Sequence, residues 1–261
     1  MIELYHWEPN MFSLKPLIAL HEKGVPFTSR YTDFGALEQY ALPVALTGRM
    51  EVEHNPERDG PILVVDGTPM TESFFITLYL DDAYPEKPLR GPDAENRWRV
   101  LMWARFINEV LEPAVSTLGS RKFLSPLLQS RNRRDIEKTI ERMPTKEQRD
   151  GWTAALAGSY SDDLVEDSRR KIGLAVKKFE DALAKGPWLA GQNYSLADIN
   201  AFSILRPVQY LASDLLESAS RTKDWLARIE SRPAVKAALA ASKTGKPHEA
   251  FTPGPEHSRW G

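Results

Sequence analysis

The chain has 261 residues, 42% of them hydrophobic and 27% charged, with a formal net charge of −2 at pH 7. That length suits one large core or two modest ones, and the near-neutral balance excludes a general affinity for nucleic acid or an anionic membrane surface. No apolar run is long enough to span a bilayer, and the absence of cysteine excludes disulfides, thiolate metal sites and cysteine nucleophiles.

In chain order, Ile2-Glu3-Leu4-Tyr5 reads as a first strand, and so early a strand leaves no room for a signal peptide, which predicts a cytoplasmic protein. Ser13 to about Lys23 reads as a helix ended by Gly24. Pro26 to Tyr31 is a second strand, followed by a less regular stretch to Pro56. Pro61-Ile62-Leu63-Val64-Val65 is a third strand with proline at its first position, where a sheet tolerates it. Asp66-Gly67 is a tight turn that lets the next few residues return antiparallel. Thr71-Glu72-Ser73 then opens an apolar helix. This β-α-β then β-β-α order predicts a small mixed sheet with helices on its faces.

Tyr84 to Pro92 carries three prolines and a glycine and reads as a linker. Beyond it strand signals vanish. Helical periodicity runs from Asp93 to about Gly119, and Pro113 is expected to kink or interrupt it. Ser161 caps another helix, whose apolar face is Val165, Ile172, Val176, Phe179 and Leu183, ended at Gly186. Ser195-Leu196-Ala197-Asp198 is an acidic capping box. The expected organisation is residues 1–84 as an α/β domain, 85–92 as linker, 93–243 as an all-helical domain, and 244–261 as a flexible tail in which Phe251 and Trp260 could dock.

Three devices follow one another between Asn55 and Tyr84. A cis bond at Gly60-Pro61 would turn the preceding backbone outward, free to pair with an extended peptide ligand. The N–H groups opening the next helix attract a carboxylate. The Ser73 hydroxyl can bind that carboxylate while Glu72 meets an ammonium group, so one α-amino acid head group satisfies both. Any sulfur chemistry must use a sulfur the substrate brings. The five histidines (His6, His21, His54, His248 and His257) form no ligand-spaced pair, so no protein-held metal is expected. No G-x-G-x-x-G, Walker or G-x-S-x-G run occurs. Arg131 to Arg134 reads as a solvated helix face, and Asp81-Asp82 and Asp162-Asp163 as helix-end charges.

This order of features resembles the glutathione S-transferase superfamily. The resemblance implies an α/β thioredoxin-like N-terminal domain followed by an all-α C-terminal domain, with glutathione as co-substrate. It also implies that Gly60 and Pro61 pair with the cysteinyl backbone and that Glu72 and Ser73 hold the γ-glutamyl end. The activating group of this family lies just after the first strand, where Ser13 is the candidate: an N-cap serine offers its hydroxyl and unpaired N–H groups to a thiolate. Lowering a thiol pKa by two units needs only about 2.7 kcal/mol, within reach of a few charge-assisted hydrogen bonds. The family also implies a dimer, with an identical or a related partner.

Within the superfamily the chain is similar to the bacterial β-etherases. The matching pieces are Ser13-Leu14-Lys15-Pro16-Leu17, Val115-Ser116-Thr117-Leu118-Gly119, Met143-Pro144-Thr145-Lys146-Glu147-Gln148 with Trp152 and Ala155, and Tyr194 to Ile199. The likeness implies glutathione-dependent cleavage of β-aryl ethers in lignin-derived aromatic dimers, without a metal. An aromatic pocket would suit such a substrate, with Trp7, Met11, Phe12, Trp103 and Phe106 as candidates. One departure stands out: the group carries asparagine before the serine, and this chain has Phe12. Two alternatives therefore accompany the β-etherase reading: a general glutathione transferase or dehalogenase, and a weakly active subunit that pairs with a related chain.

Overall fold

The computed structural model describes residues 1–33, 36–38, 60–143 and 145–250. Asn55, most of the irregular stretch up to Pro56, Pro144, Phe251 and Trp260 lie outside the described residues.

Four short strands make one mixed sheet. β1 (Ile2–His6) lies between β2 (Thr28–Tyr31), which is parallel to it, and β3 (Ile62–Val65), which is antiparallel. β4 (Thr68–Met70) extends the other side of β3, giving the order β2-β1-β3-β4. Leu4 faces Leu63 across the ladder and both are fully buried. α1 (Leu14–Lys23) supplies the crossover between the parallel strands, and Gly24 ends it at φ 70°, a conformation that glycine adopts without a Cβ clash. α2 (Ser73–Ala83) follows β4 and packs against α1.

The helical half begins with α3 (Ala94–Phe106), and Asp93 caps it by accepting the Asn96 N–H at 2.8 Å. The interruption expected at Pro113 takes the form of a change in helical register. Residues Ile107–Leu111 widen into a π turn, the Glu112 N–H reaches back to the Ile107 carbonyl, and α4 (Glu112–Gly119) starts with Pro113 in its first turn. A proline is harmless there because that N–H has no helical acceptor. The same device recurs, with a second π turn at Ser120–Leu124 and Pro126 opening α5 (Ser125–Gln129).

α5 meets α6 (Arg133–Glu141) and α7 (Lys146–Ala157) in a small separate core of Leu124, Leu128, Ile136, Ile140, Trp152 and Ala155. The long α8 (Asp162–Leu183) buries Ile172, Ala175, Val176 and Phe179, and so lays one stripe on the main core. α9 (Leu196–Leu205) is apolar nearly all round and is buried along its whole length, the condition under which such a helix is stable. α10 (Val208–Leu211), α11 (Ser220–Glu230) and α12 (Pro233–Leu239) complete the domain.

One apolar core runs through both halves, with α1 packed on α9 and α12. Buried and half-buried ion pairs seal the junction: Lys15 to Glu112 at 2.9 Å, and Arg232 to both oxygens of Glu22 at 2.6 and 2.9 Å. Asp81 is more than a helix-end charge. It is buried, accepts from Lys23 Nζ at 2.5 Å, Leu89 N at 2.7 Å and Arg90 Nε at 2.8 Å, and so holds the linker against the first domain.

Candidate active site

The turn from β1 into α1 is organised by Asn10. Its Oδ1 accepts the N–H groups of Phe12 at 2.9 Å and Ser13 at 2.8 Å, and its carbonyl accepts that of Leu14 at 2.9 Å. Ser13 was expected to be the N-cap with unpaired N–H groups around it. Instead its backbone is already helical (φ −64°, ψ −30°), its side chain makes no capping bond, and Asn10 has consumed the N–H groups at the turn. Ser13 Oγ accepts the Trp7 N–H at 3.3 Å, which leaves its own proton to be donated. The backbone N–H groups of Phe12, Ser13 and Leu14 are therefore spent on Asn10.

The second cluster sits where β3 and α2 begin. The Gly60–Pro61 peptide bond is cis. Glu72, immediately before α2, has φ 67° and ψ 99°, a left-handed conformation that costs a side chain about 1–3 kcal/mol and concentrates at ligand sites. Its carbonyl accepts the Ile76 N–H at 2.9 Å while its carboxylate makes no capping bond to the helix. Ser73 is the first helical residue. The first-turn N–H groups have no acceptor within the helix, which is what a carboxylate ligand needs.

The five expected aromatic-pocket residues differ in burial. Met11 is fully buried in the main core. Trp7 is buried in a small cluster with Ala250, Tyr31 and Leu127. Neither presents surface to a ligand in this conformation, and Ser13 beside them is equally buried, because the turn folds all three inward. Phe12 stays partly exposed beside Ser13, with Lys15 Nζ 5.4 Å from its ring centroid. Trp103 and Phe106 are half-buried against the main core and keep part of their surface exposed. Their rings lie 6.1 Å apart, Trp103 is 5.5 Å from Phe179, and Lys178 Nζ lies 4.8 Å from the Phe106 ring centroid.

A residue that sequence reasoning passed over closes this turn. Glu8 is buried and accepts from Tyr31 Oη at 2.6 Å, Ser242 Oγ at 2.5 Å, Lys243 N at 2.8 Å and Thr244 at both its N–H (3.2 Å) and Oγ1 (3.1 Å). Burial would push the Glu8 carboxyl up, but these hydrogen bonds outweigh it and hold the group below its ordinary value. The expected flexible tail from residue 244 is accordingly corrected for residues 244–250. They pass over the turn, with Ala250 on Trp7 and His248 stacked on Tyr210 at 4.8 Å. Composition alone carried no signal of this, because the binding carboxylate is more than 230 residues away in sequence.

A thioredoxin-like sheet with a cis proline at its third strand, a left-handed acidic residue before the next helix and an all-helical second half defines the class. The chain belongs to the glutathione S-transferase superfamily: the N-terminal domain of that family matches residues 11–83 and the C-terminal domain matches residues 138–233. Glutathione is its co-substrate. The chain is similar to the protein LigF of Sphingobium sp. strain SYK-6, at 31% identity over 93% of this chain and 94% of LigF. The crystal structure of Beta-etherase LigF superposes with a TM-score of 0.82, covering 92% of this chain and 99% of that one. GstA of Escherichia coli O157:H7 is 24% identical over 90% of this chain and 96% of its own length. Glutathione transferase F7 of Populus trichocarpa shares the fold at 21% identity and a TM-score of 0.69, over 92% of this chain and 98% of that one.

Proposed function

We propose that this chain is a cytoplasmic, glutathione-dependent β-etherase that cleaves β-aryl ether bonds in lignin-derived aromatic dimers. The observation that carries this reading is the likeness to Beta-etherase LigF over 92% of the chain at a TM-score of 0.82, against 0.69 for the poplar transferase over the same share. The thiolate of glutathione attacks a carbon that bears an aryloxy group and adjoins a ketone. A C–S bond forms, the C–O bond breaks, and a phenolate leaves to take up the proton released by the thiol. The ketone already activates the carbon, so the protein's task is to hold sulfur and carbon in line. Ser13 Oγ donates to the sulfur, Glu72 and Ser73 hold the γ-glutamyl head group, and the backbone at Gly60–Pro61 pairs with the cysteinyl residue. Phe12 lines the acceptor side of the Ser13 turn.

The active form is a dimer with an identical or a related chain. Phe75 on α2 is 65% exposed and Trp98 on α3 is 60% exposed, with Leu101 and Met102 also open on α3. Their spacing on α3 puts all three on one face, and apolar area of this kind is what a partner covers.

The test is glutathione-dependent phenol release from each enantiomer of a ketone-bearing β-aryl ether dimer, for the parent chain and for Ser13→Ala. We expect turnover of at least one enantiomer, reduced by about 10- to 100-fold in the variant, the worth of one hydrogen bond to a charged group. Rapid conjugation of alkyl or aryl halides with no phenol release would replace this reading by a general transferase. Glutathione binding with no turnover of either substrate class would make the chain a partner subunit.

A further inference from the structure

We propose that Ser120, Ser125 and Tyr160 form a buried binding site for a single water molecule, which pins the second π turn to the connection between α7 and α8. Ser120 and Ser125 are 1% and 3% exposed, and neither side-chain oxygen has a hydrogen-bond partner. The Tyr160 hydroxyl oxygen is likewise buried and unpartnered. The three converge. Both serine hydroxyls lie close enough to Tyr160 to favour its anion, while the larger effect of burial keeps the phenol neutral, yet no direct hydrogen bond among them is completed. Each hydroxyl offers a proton and lone pairs. Leaving such groups unmade is destabilising, and folded proteins almost always supply a partner, from the chain or from ordered water.

The π turn is what brings the two serines together. Residues five apart point about 140° away from each other around an α-helix. Here the Ser125 N–H reaches back to the Ser120 carbonyl, and the widened turn draws both hydroxyls toward Tyr160. Tyr160 arrives from the other side. Gly158 ends α7 at φ 70°, Ser161 caps α8 by accepting the Leu164 N–H at 3.2 Å, and Tyr160 lies between them. Gln129 Nε2 donates to the Leu156 carbonyl at 3.0 Å and ties α5 to the end of α7 beside the site. The chemistry of the lining selects the occupant. Every group is neutral and both donates and accepts, which suits water and gives an ion no counter-charge. Leu124 and Leu128 of the small core adjoin the serines along the chain, so an unpaired charge there would be costly. Three hydroxyl partners match the usual coordination of an internal water. None of the three oxygens reaches solvent, which argues against a larger ligand.

The experiment joins a high-resolution crystal structure of the full chain to water magnetic relaxation dispersion in solution, which counts long-lived internal waters. In the crystal we expect one ordered water within about 2.5–3.0 Å of all three hydroxyl oxygens. In solution the count should fall by one in the double variant Ser120→Ala/Ser125→Ala, where only Tyr160 is left to hold the water. It should stay unchanged in Ser130→Ala, a nearby exposed serine that donates to the Leu127 carbonyl. Amide hydrogen exchange in Ser120–Leu124 and at Tyr160 should quicken by about fivefold or more in the double variant. Thermal melting checks that each variant is folded, and if the double variant is not, the crystal structure of the parent decides alone. Direct hydrogen bonds among the three oxygens with no water between them would overturn the site, as would an unchanged water count in the folded double variant. Loss of the water with unchanged exchange would overturn its pinning role.

Discussion

Glu8 shows how a single buried side chain can organise the face of the fold that carries Ser13. Its two oxygens meet donors from β2 and from residues 242–244, which seats the C-terminal segment over the β1–α1 turn. Because the folded pKa lies below the ordinary value, this stabilisation is present above that ordinary value. It is lost as the pH falls through the folded pKa. Acidification should therefore release residues 243–250 before the rest of the molecule. Glu8→Gln should do the same at neutral pH by turning an NH₂ group against N–H donors, at a cost of about 1–3 kcal/mol. Hydrogen exchange of those backbone amides checks both. Protection in Glu8→Gln equal to that of the parent would show that the apolar contacts of Ala250 and His248 suffice without the carboxylate. Ser13 was visible from its place after the first strand, whereas the capping role of Asn10 was not. An asparagine's capping role depends on which N–H groups the turn brings to its oxygen.

At the scale of elements, the start of α9 is the best-defined feature. Asp198 accepts from Ser195 N and Oγ, Leu189 N and Trp225 Nε1, all at 2.9–3.0 Å. It thus ties the loop before the helix to α11 as well as capping its own first turn. Removing the carboxylate strands several buried donors, so Asp198→Ala should cost about 3 kcal/mol or more, read from the urea midpoint. A loss under about 1 kcal/mol would show that the loop finds other partners. Burial pushes Asp198 up to about 6 against the hydrogen bonds that favour its charge. The native state then retains a proton that the unfolded chain gives up between about 4 and about 6, so this residue stabilises less as pH rises through that window. The parent–variant difference should shrink accordingly. The capping box was legible because it is a local pattern. The π turns were not, because Pro113 states only that an N–H is missing and leaves the backbone several ways to accommodate it.

For the whole molecule, the two halves behave as one packed unit. The core is continuous through α1, α9 and α12, and Lys15–Glu112 pairs a fully buried cation with a carboxylate from the other domain. That packing holds the β1–α1 turn and the start of α2 in a fixed relation, which the proposed in-line attack would need. The exposed apolar face of α2 and α3 predicts association. Phe75→Glu should convert a dimer into a monomer in sedimentation, with the melting temperature of the monomer little changed because Phe75 is 65% exposed. An unchanged sedimentation coefficient would move the interface elsewhere.

The sequence by itself determined the architecture and the family. Those rest on short-range chemistry: a proline opening a strand, an acidic residue and serine at a helix start, a capping box and helical periodicity. Tertiary structure alone decided how the candidate side chains pack. Met11 and Trp7 turned inward, Trp103 and Phe106 packed half-buried against the main core, Asn10 took the cap from Ser13, and Glu8 captured Lys243 and Thr244. These outcomes depend on contacts between distant segments, and a buried polar atom acquires its role only when the chain that surrounds it has closed.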